Sequence, residues 1–400
     1  MMKSNSVALW LFYATVFTLP MFMRINNLLL GAFILVAIVG NLRRGLLSKM
    51  KRNLIFGLPV VAFFGLAVLG AFRDTSLENL GFLEKHWSLL LVPLAMLPDP
   101  QPFMERKRAI FLAFMWGCTA TLLICYTQVI WEMISGGEPP SYFFRWRHLG
   151  SRFTKGADTH PTYLAVFVVV SVFFLIQDKK SSITLKSILI PILILGLFQL
   201  ASRIALFLCI LLLLFLIVER VRRNNWQLAS LVFGLVLGSL LVNYYGSDYL
   251  KQRIFASDVI TDERRFARWE VSYEIFKDQP VLGVGYAKIE HLRRIGYLEK
   301  GLDRAASDND NAHNQFLEYL STQGAVGGIV YVLCLMYLFL LAIFRRDILF
   351  AIVFFALLVA GSTESMLVRI KGIEYLAVFG TLLMCIVSSN KTGHEDLHHA

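Results

Sequence analysis

The sequence is poor in charged residues and in cysteine, and these shortages exclude several classes of protein. Charged residues make up 17% of the 400 residues, against about 25% in a soluble globular domain. The cysteines number five, and no CxxC or Cys/His spacing occurs. They therefore indicate neither a disulfide framework nor a zinc site, and we interpret them as small apolar residues. No internal repeat is evident.

Long apolar blocks are what the sequence has in excess. Hydrophobic residues make up 56% of the chain, and they gather in blocks near the length that crosses a bilayer as a helix. The blocks run over residues 7–23, 25–41, 53–72, 79–97, 109–134, 160–177, 183–200, 204–218, 226–243, 323–344, 348–363 and 372–388. The first resembles a signal peptide, but no small-residue cleavage site follows it, so we predict a retained span. The pattern predicts an all-α polytopic membrane protein of about twelve transmembrane helices, with residues 1–400 as a single integral membrane domain.

The apolar stretch from Ile183 to Val218 is interrupted only at Ala201-Ser202-Arg203. A single helix of that length would be about 50 Å long, whereas the hydrocarbon core is about 30 Å thick. We therefore predict two short helices joined by a tight turn at Arg203. An arginine between two apolar runs costs about 2.5–3.5 kcal/mol at a helix centre, so we expect Arg203 to face an aqueous cavity or a partner.

Basic residues indicate the orientation of the chain. They recur in alternate loops, namely Arg43, Arg44, Lys49, Lys51 and Arg52; Arg106, Lys107 and Arg108; Lys179, Lys180 and Lys186; Arg220, Arg222 and Arg223; and Arg345 and Arg346. Such loops face the cytoplasm, which predicts a multi-pass protein of the inner membrane with both termini cytoplasmic. The net charge of +11 follows largely from this bias, so no nucleic-acid partner is expected. The other side carries loops near 135–159 and 244–322, and the latter is predicted to be a large periplasmic loop with a helical layer.

Residues 262–277 form an amphipathic helical pattern within the second of these loops. Its apolar stripe consists of four aromatic residues, Phe266, Trp269, Tyr273 and Phe276. The stripe is predicted to be the buried face, and Arg265 and Arg268 lie one turn apart at its edge. Because the arginine fork donates two parallel hydrogen bonds to phosphate, this pair is a candidate for binding a diphosphate. The alternative is an interfacial helix whose arginines contact lipid headgroups or pair with Asp262 and Glu263.

Two short motifs follow this helix. Gly283-Val-Gly285 lacks the strand and helix of a nucleotide-binding loop, so we predict the end of a helix followed by a turn. Asp308 and Asp310 form a D-x-D of the kind that holds a divalent metal in some glycosyltransferases. We favour a polar loop that ends in an Asp or Asn helix cap, with no metal ligand.

His313 is predicted to begin a helix that has Phe316, Leu317 and Leu320 on its apolar side and that Gly324, Gly327 and Gly328 then break. Among side chains, histidine titrates nearest to neutral pH, so His313 is a candidate general base beside a membrane cavity. The alternative is a solvated loop histidine.

Further cations fall on the same predicted side of the membrane. They are Lys85 and His86 in the fourth block, and Arg145, Arg147, Arg152, Lys155 and His160 in and just after the 135–159 loop. Together with Arg203 they predict a cationic cavity that suits an anionic, lipid-linked substrate. For most of them the alternative is contact with membrane lipids at the headgroups.

Four motifs in this order resemble those of the O-antigen ligase family, within the O-antigen ligase/polymerase superfamily. They are Ser202-Arg203-x3-Phe207, Arg265-x3-Trp269, Pro280-x2-Gly283-x-Gly285, and Ala312-His313-Asn314-x2-Leu317 followed by Gly324. The motifs cover roughly residues 195–330, and the layout of apolar blocks extends the resemblance over the whole chain. In the amino-terminal half only Lys85 and the segment from His160 to Tyr163 match.

The resemblance implies a glycosyltransferase that moves O-antigen glycan from undecaprenyl diphosphate to the lipid A core at the periplasmic face. The transfer is expected to be inverting, to need no metal and no cofactor, and to release undecaprenyl diphosphate. We expect the 244–322 loop to carry much of the active site, with His313 acting on the acceptor, either as base or by orienting it. The donor diphosphate is expected to contact Arg203, Arg265, Arg268 and Lys85, with support from Asn314, Trp269, His160 and Arg152.

Three other functions fit the same features. An O-antigen polymerase shares the donor and the arginines but extends the glycan on a second lipid-linked unit. A protein oligosaccharyltransferase of the same superfamily is another alternative. A transporter or flippase of a lipid-linked glycan belongs to a different class, and such proteins often have repeats and broken helices at the midplane. The gathering of polar residues in an outer loop favours an enzyme.

Overall fold

The computed structural model describes residues 2–46, 49, 53–73, 80–222, 234 and 263–395, and within them the regular structure is helical with no strand. The α-helices are α1 (Met2–Thr18), α2 (Met23–Arg43), α3 (Leu58–Phe72), α4 (Leu80–Glu84), α5 (Ser88–Met96), α6 (Gln101–Met104), α7 (Lys107–Ser135), α8 (Pro161–Gln177), α9 (Ile183–Leu200), α10 (Arg203–Arg222), α11 (Glu263–Asp278), α12 (Tyr286–Glu299), α13 (Asp303–Ser307), α14 (Gln315–Phe344), α15 (Ile348–Gly361) and α16 (Ile370–Glu395). Short 3-10 helices occur at Ile55–Gly57, Pro140–Phe144, Trp146–His148, Lys155–Ala157 and Met366–Val368.

Six helical segments in the described residues are long and apolar enough to cross a membrane, judged by length and composition. They are Met23–Arg43, Ile55–Phe72, Lys107–Ser135, Ile183–Leu200, Gln315–Phe344 and Ile370–Ser388. Shorter apolar helices occupy Ser6–Thr18, Pro161–Gln177 and Ile348–Gly361. These helices are consistent with the all-α, polytopic class of the prediction. The number of twelve spans stays a prediction, and the apolar block at 226–243 lies almost wholly outside the described residues.

The fourth apolar block differs from the continuous span that was predicted. It divides into α4, with 5 residues, and α5, with 9 residues, and neither approaches the roughly 20 residues that cross a bilayer. The division falls at Lys85, His86 and Trp87. His86 is 4% exposed, and its Nδ1 lies 2.8 Å from the carbonyl oxygen of Phe82. A buried histidine bonded to the preceding turn therefore holds the chain in a bend where hydropathy alone predicts a helix.

The described helices belong to two compact units. The first unit comprises Met1–Phe12, Leu28–Lys107 and Thr261–Ala400, and the second comprises Tyr13–Asn27 and Arg108–Ile260. In the first unit α14 packs against α15, α3 and α11, while α16 packs against α5. In the second unit α8 packs against α9 and α10.

Several of the basic residues used to predict orientation pair with aspartates at helix ends. Arg44 pairs with Asp99 and Lys107 with Asp347 in the first unit. In the second unit Arg108 Nη2 lies 2.8 Å from Asp178 Oδ2. Hydrogen bonds from the Arg108 guanidinium lower the pKa of Asp178 to about 2. Some of the basic residues therefore form ion pairs with aspartates at helix ends within their own unit.

Candidate functional site

Helix α11 buries a different face from the one predicted. Val271 and Ser272 are almost completely buried, whereas Phe266 is 54% exposed and Tyr273 is 49% exposed. The buried face packs on α12 so closely that a Cβ at Gly296 would lie 2.6 Å from Val271 Cγ1. Because this contact needs a small, aliphatic surface, the aromatic stripe lies beside the packed face and is partly exposed.

Arg268 fixes α11 to the loop that precedes α14. Its Nη2 lies 2.8 Å from Asp310 Oδ2, and the two side chains are 18% and 28% exposed. Asp308 is more exposed and lies 3.4 Å from Arg304 Nε. Within the described part of the chain, no group of three or more His, Cys, Asp or Glu side chains is arranged to hold a metal ion. Asp310 therefore serves as an ion-pair partner of the arginine that was proposed to bind phosphate.

The carboxylate of Glu364 joins two residues that the motifs singled out. His313 Nδ1 lies 3.0 Å from Glu364 Oε2, and Arg265 Nη2 lies 3.8 Å from Oε1 of the same carboxylate. The side chains of His313 and Glu364 are 25% and 16% exposed, and that of Arg265 is 40% exposed. A histidine, a carboxylate and an arginine thus form one partly solvent-accessible cluster, which we call the His313 cluster.

The contact with Glu364 determines how His313 can act. A carboxylate accepts a hydrogen bond from Nδ1–H, so Nε2 carries the lone pair and can accept a proton. The carboxylate also stabilises the imidazolium that forms when the proton is taken. The cluster therefore has the chemistry of a general base oriented by a carboxylate, with a cation beside it.

Local hydrogen bonds hold the loop that carries His313. The residue has φ of +46°, a left-handed conformation that is uncommon outside glycine. Its backbone N–H donates to Asn311 Oδ1 at 2.9 Å, and Tyr297 donates its hydroxyl to the Asn311 carbonyl at 3.3 Å. Burial raises the pKa of Tyr297 to about 12, so this hydroxyl stays a donor at neutral pH.

Asn314 caps helix α14, which confirms the predicted Asp or Asn cap at the end of the polar loop. Its Oδ1 accepts from Phe316 N and Leu317 N at 3.0 and 3.1 Å. Its Nδ2 donates to the carbonyl oxygen of Ser362 at 3.2 Å, which ties the start of α14 to the segment before Glu364. The helix begins at Gln315, two residues after the histidine that was predicted to begin it.

A buried ion pair behind the His313 cluster was missed in the sequence. Arg293 and Glu318 are 5% and 7% exposed, and Arg293 Nη1 lies 2.9 Å from Glu318 Oε1. Arg293 lies in an exposed-looking basic run of α12, and Glu318 follows His313 by five residues in an apolar pattern. Glu364 was missed too, although the parity of the apolar blocks puts its loop on the same predicted side as His313.

The Pro280–Gly285 segment docks into a break in α14. Gly324 has φ of 67° and ψ of −160°, whereas the helix continues through the next glycines at 327 and 328. Gly285 N donates to the Thr322 carbonyl at 2.9 Å, and Ala325 N donates to the Pro280 carbonyl at 2.8 Å. The predicted turn at this motif is confirmed. Of the three glycines expected to break the helix, only Gly324 does so.

Replacing either of the two interlocked glycines is expected to destabilise the first unit. A Cβ at Gly283 would lie 2.4 Å from the Thr322 carbonyl carbon, and one at Gly324 would lie 2.4 Å from that of Val281. Backbone atoms cannot move aside, and both glycines have positive φ. Gly283→Ala and Gly324→Ala should each lower the free energy of unfolding by roughly 2–5 kcal/mol. Thermal unfolding of the protein in detergent measures this.

Gly65→Ala is the matched control for that measurement. Gly65 lies within α3, and nothing would lie within 4 Å of its added Cβ. Alanine in a helix is more favourable than glycine by about 0.5–1 kcal/mol, so this variant should be neutral or slightly more stable. Equal stability of Gly324→Ala and Gly65→Ala would contradict the close packing of the Pro280–Gly285 segment against the break in α14.

The other predicted residues of the first unit lie around these helices. The Trp269 ring is edge-on to Phe266 at 5.3 Å between centroids, and its Nε1 is buried with no hydrogen-bond partner among the described residues. Lys85 Nζ lies 5.1 Å from the centroid of the Phe82 ring. Lys85 therefore contacts an aromatic ring in the bend between α4 and α5, and its place in a diphosphate site stays a prediction.

Arg203 begins helix α10 in the second unit, as the predicted turn required. Helix α9 ends at Leu200, and Ala201 takes a left-handed conformation with φ of 49°. The carbonyl oxygen of Gln199 accepts from Gly150 N at 2.9 Å, so the loop after α7 packs on this turn. The two helices and the tight turn between them are confirmed, although α10, with 20 residues, is longer than predicted.

The remaining cations of the second unit contact aromatic rings and carboxylates. The Arg152 guanidinium lies 3.9 Å from the Trp146 ring centroid. Arg147 Nη1 lies 3.8 Å from Glu138 Oε1. His160 precedes α8, and its ring is edge-on to Tyr163 at 5.4 Å between centroids. Supporting roles for Arg152 and His160 stay predictions.

Together the described helices and the His313 cluster define a class, namely an all-α polytopic membrane protein with a candidate acid–base site. Residues 188–332 match the family model described as O-Antigen ligase. This match supports membership of the O-antigen ligase/polymerase superfamily, which confirms the resemblance seen in the motifs. No curated protein matches the chain. The family and the apolar helices together indicate a bacterial membrane protein of O-antigen and lipopolysaccharide biosynthesis, with a glycosyltransferase-like or ligase type of activity.

Proposed function

We propose that the protein transfers O-antigen glycan from undecaprenyl diphosphate to the lipid A core at the periplasmic face of the inner membrane. The observation that carries this proposal is the contact of His313 Nδ1 with Glu364 at 3.0 Å, beside Arg265. A lipid-linked glycosyl transfer needs a base for the acceptor hydroxyl and cations for the diphosphate, and the His313 cluster offers both kinds of group.

The proposed reaction is a single displacement that inverts the anomeric carbon. His313 Nε2 takes the proton of the acceptor hydroxyl as its oxygen bonds to that carbon. The bond from the carbon to the diphosphate oxygen breaks, and undecaprenyl diphosphate leaves with the electron pair. Arg265 is proposed to stabilise the charge that develops on the diphosphate, which is the role that a metal ion takes in other enzymes. A contact of Arg203 with the diphosphate stays a prediction from its motif. Arg268 and Lys85 are proposed to help bind the donor diphosphate. Arg268 would do so while it remains paired with Asp310.

The test is glycan transfer by the purified protein from undecaprenyl diphosphate to lipid A–core, with a chelator present and without nucleotide or ion gradient. The expected product is glycan on lipid A–core and free undecaprenyl diphosphate. Elongation of glycan on the lipid carrier, with no transfer to the core, would instead establish a polymerase. Activity that is lost with chelator and restored by magnesium or manganese would contradict metal independence. Movement of the lipid-linked glycan from one leaflet of a vesicle membrane to the other, without glycan transfer to lipid A–core, would establish a flippase.

The proposal requires one orientation in the membrane, with the His313 loop in the periplasm and both termini in the cytoplasm. We expect a cysteine at Asp308, which is exposed, to react with a membrane-impermeant maleimide in cells with a permeabilised outer membrane. A cysteine at Lys391 should react only after the inner membrane is opened. Both variants are made in a chain whose five native cysteines are replaced. The reverse labelling pattern would refute the proposed function as a whole.

A further inference from the structure

One buried carboxylate contacts both segments that carry the His313–Glu364 pair. Glu318 Oε2 accepts from the backbone N–H of Ala312 at 3.0 Å and from Ser365 Oγ at 3.4 Å. Ala312 immediately precedes His313, and Ser365 immediately follows Glu364. His313 and Glu364 are 51 residues apart in the chain. Glu318 joins the two segments next to the contact between these side chains.

Arg293 determines where the Glu318 carboxylate points. Its Nη1 donates to Glu318 Oε1 at 2.9 Å, and its Nη2 donates to Ser321 Oγ at 2.9 Å. The guanidinium fork thus spans one turn of α14, from the carboxylate to a hydroxyl. With Oε1 held by Arg293, Oε2 remains for the Ala312 and Ser365 contacts.

The left-handed backbone at His313 makes such an anchor necessary. A non-glycine residue in this conformation persists only where its surroundings determine it. The backbone N–H of Ala312 is held by Glu318, and that of His313 is held by Asn311. Loss of the first of these contacts would release the peptide that directs the imidazole towards Glu364.

We propose that Glu318 and Arg293 are positioning residues for the transfer reaction, acting through the His313–Glu364 contact and not on the substrate. This inference rests on the proposed function of His313. A buried ion pair adds little net stability compared with apolar residues of the same shape, whereas a displacement of about 1 Å in an active site can lower a rate about 100-fold. The effect of the pair is therefore expected in turnover.

The first measurement compares turnover with donor binding. Glu318→Gln removes the charge and replaces one accepting oxygen with an NH2 donor, so the side chain can no longer accept from both Arg293 and Ala312. We expect kcat to fall about 10–100-fold, with the Kd for undecaprenyl-diphosphate-linked glycan changed less than about twofold. Arg293→Met leaves a buried, unpaired carboxylate, so it should also lower kcat. Adding Glu318→Gln to Arg293→Met should restore part of the loss, because the unpaired charge is gone.

A double-mutant cycle separates positioning from general structural support. In the Glu364→Gln background the contact is already impaired, so Glu318→Gln should lower kcat little further. The control is Arg44→Met, which breaks the Arg44–Asp99 pair elsewhere in the first unit. Its effect on measured activity should be the same in both backgrounds. Should Glu318→Gln fail to fold, Ser321→Ala keeps the Arg293–Glu318 pair and removes the second Arg293 contact, together with the bonds of the hydroxyl to carbonyls of its own helix. Its smaller loss of kcat should also disappear in the Glu364→Gln background.

Independent, multiplying losses from Glu318→Gln and Glu364→Gln would overturn the positioning role. A loss of donor binding equal to the loss of kcat would overturn it as well. Failure of the proposed function looks different, since the unaltered protein would then transfer no glycan to lipid A–core. Failure of the role of His313 alone would leave His313→Ala with full transfer activity.

Discussion

His313→Ala is expected to abolish glycan transfer and to leave donor binding largely intact. The imidazole is proposed to take the acceptor proton, and a positioned general base contributes about 10²–10⁴-fold to a rate. The contacts of His313 are with Glu364 and its own loop, so its loss leaves the Arg265 side chain in place. The measurements are single-turnover transfer to lipid A–core and equilibrium binding of the undecaprenyl-diphosphate-linked donor.

His291→Ala is the matched control, because His291 is an exposed histidine on α12 in the same unit. It should leave transfer unchanged. Glu364→Gln should lower kcat by about 10²-fold, since the amide no longer stabilises an imidazolium and can hold the wrong tautomer of His313. Full transfer by His313→Ala would remove the proposed base. Loss of donor binding in His313→Ala would move the histidine to the donor.

The helices were largely predictable because hydropathy is a local property. The turn at Arg203 and the Asn314 cap follow from residues adjacent in the sequence, and both are confirmed. The bend at His86 was not predictable in this way. A buried histidine bonded to the preceding turn interrupts an apolar block, and no feature of the block itself indicates that contact.

The sequence indicated the basic residues of the site, but it did not indicate the carboxylates that contact them. Arg265 and His313 were named from their motifs, whereas the Glu364 that joins them lies in a short loop between two apolar helices. Asp310 was considered as a metal ligand or a cap, and its partner Arg268 was considered as a phosphate ligand. Their ion pair depends on how α11 packs, which periodicity does not determine.

The orientation of α11 gives the clearest case of a misleading pattern. The aromatic stripe was taken as the buried face, but Val271 and Ser272 occupy that place. Close packing on Gly296 admits only small or aliphatic residues at the contact. In a membrane protein an aromatic stripe need not face a protein core, because aromatic rings are also stable at the membrane–water interface.

Arg265→Ala and Arg203→Ala are expected to weaken donor binding and to lower turnover. The motifs predict that each arginine contacts the diphosphate, and loss of one such charge-stabilising group costs on the order of 10²–10³ in kcat. Arg265→Ala should lower turnover further, because Glu364 Oε1 then loses its cation while Oε2 still holds His313. Transfer rates and donor Kd, measured on the same preparations, give both effects.

Lysine at either position should rescue only part of the loss, because an ammonium lacks the planar fork that binds two phosphate oxygens. Arg264→Ala is the control on α11, since Arg264 is exposed and adjacent to Arg265 in the chain. It should bind donor like the unaltered protein, which would exclude a general effect of charge. Unchanged donor binding in Arg203→Ala and Arg265→Ala, together with lost binding in His313→Ala, would reverse the proposed roles, with the histidine on the diphosphate and the arginines on the acceptor.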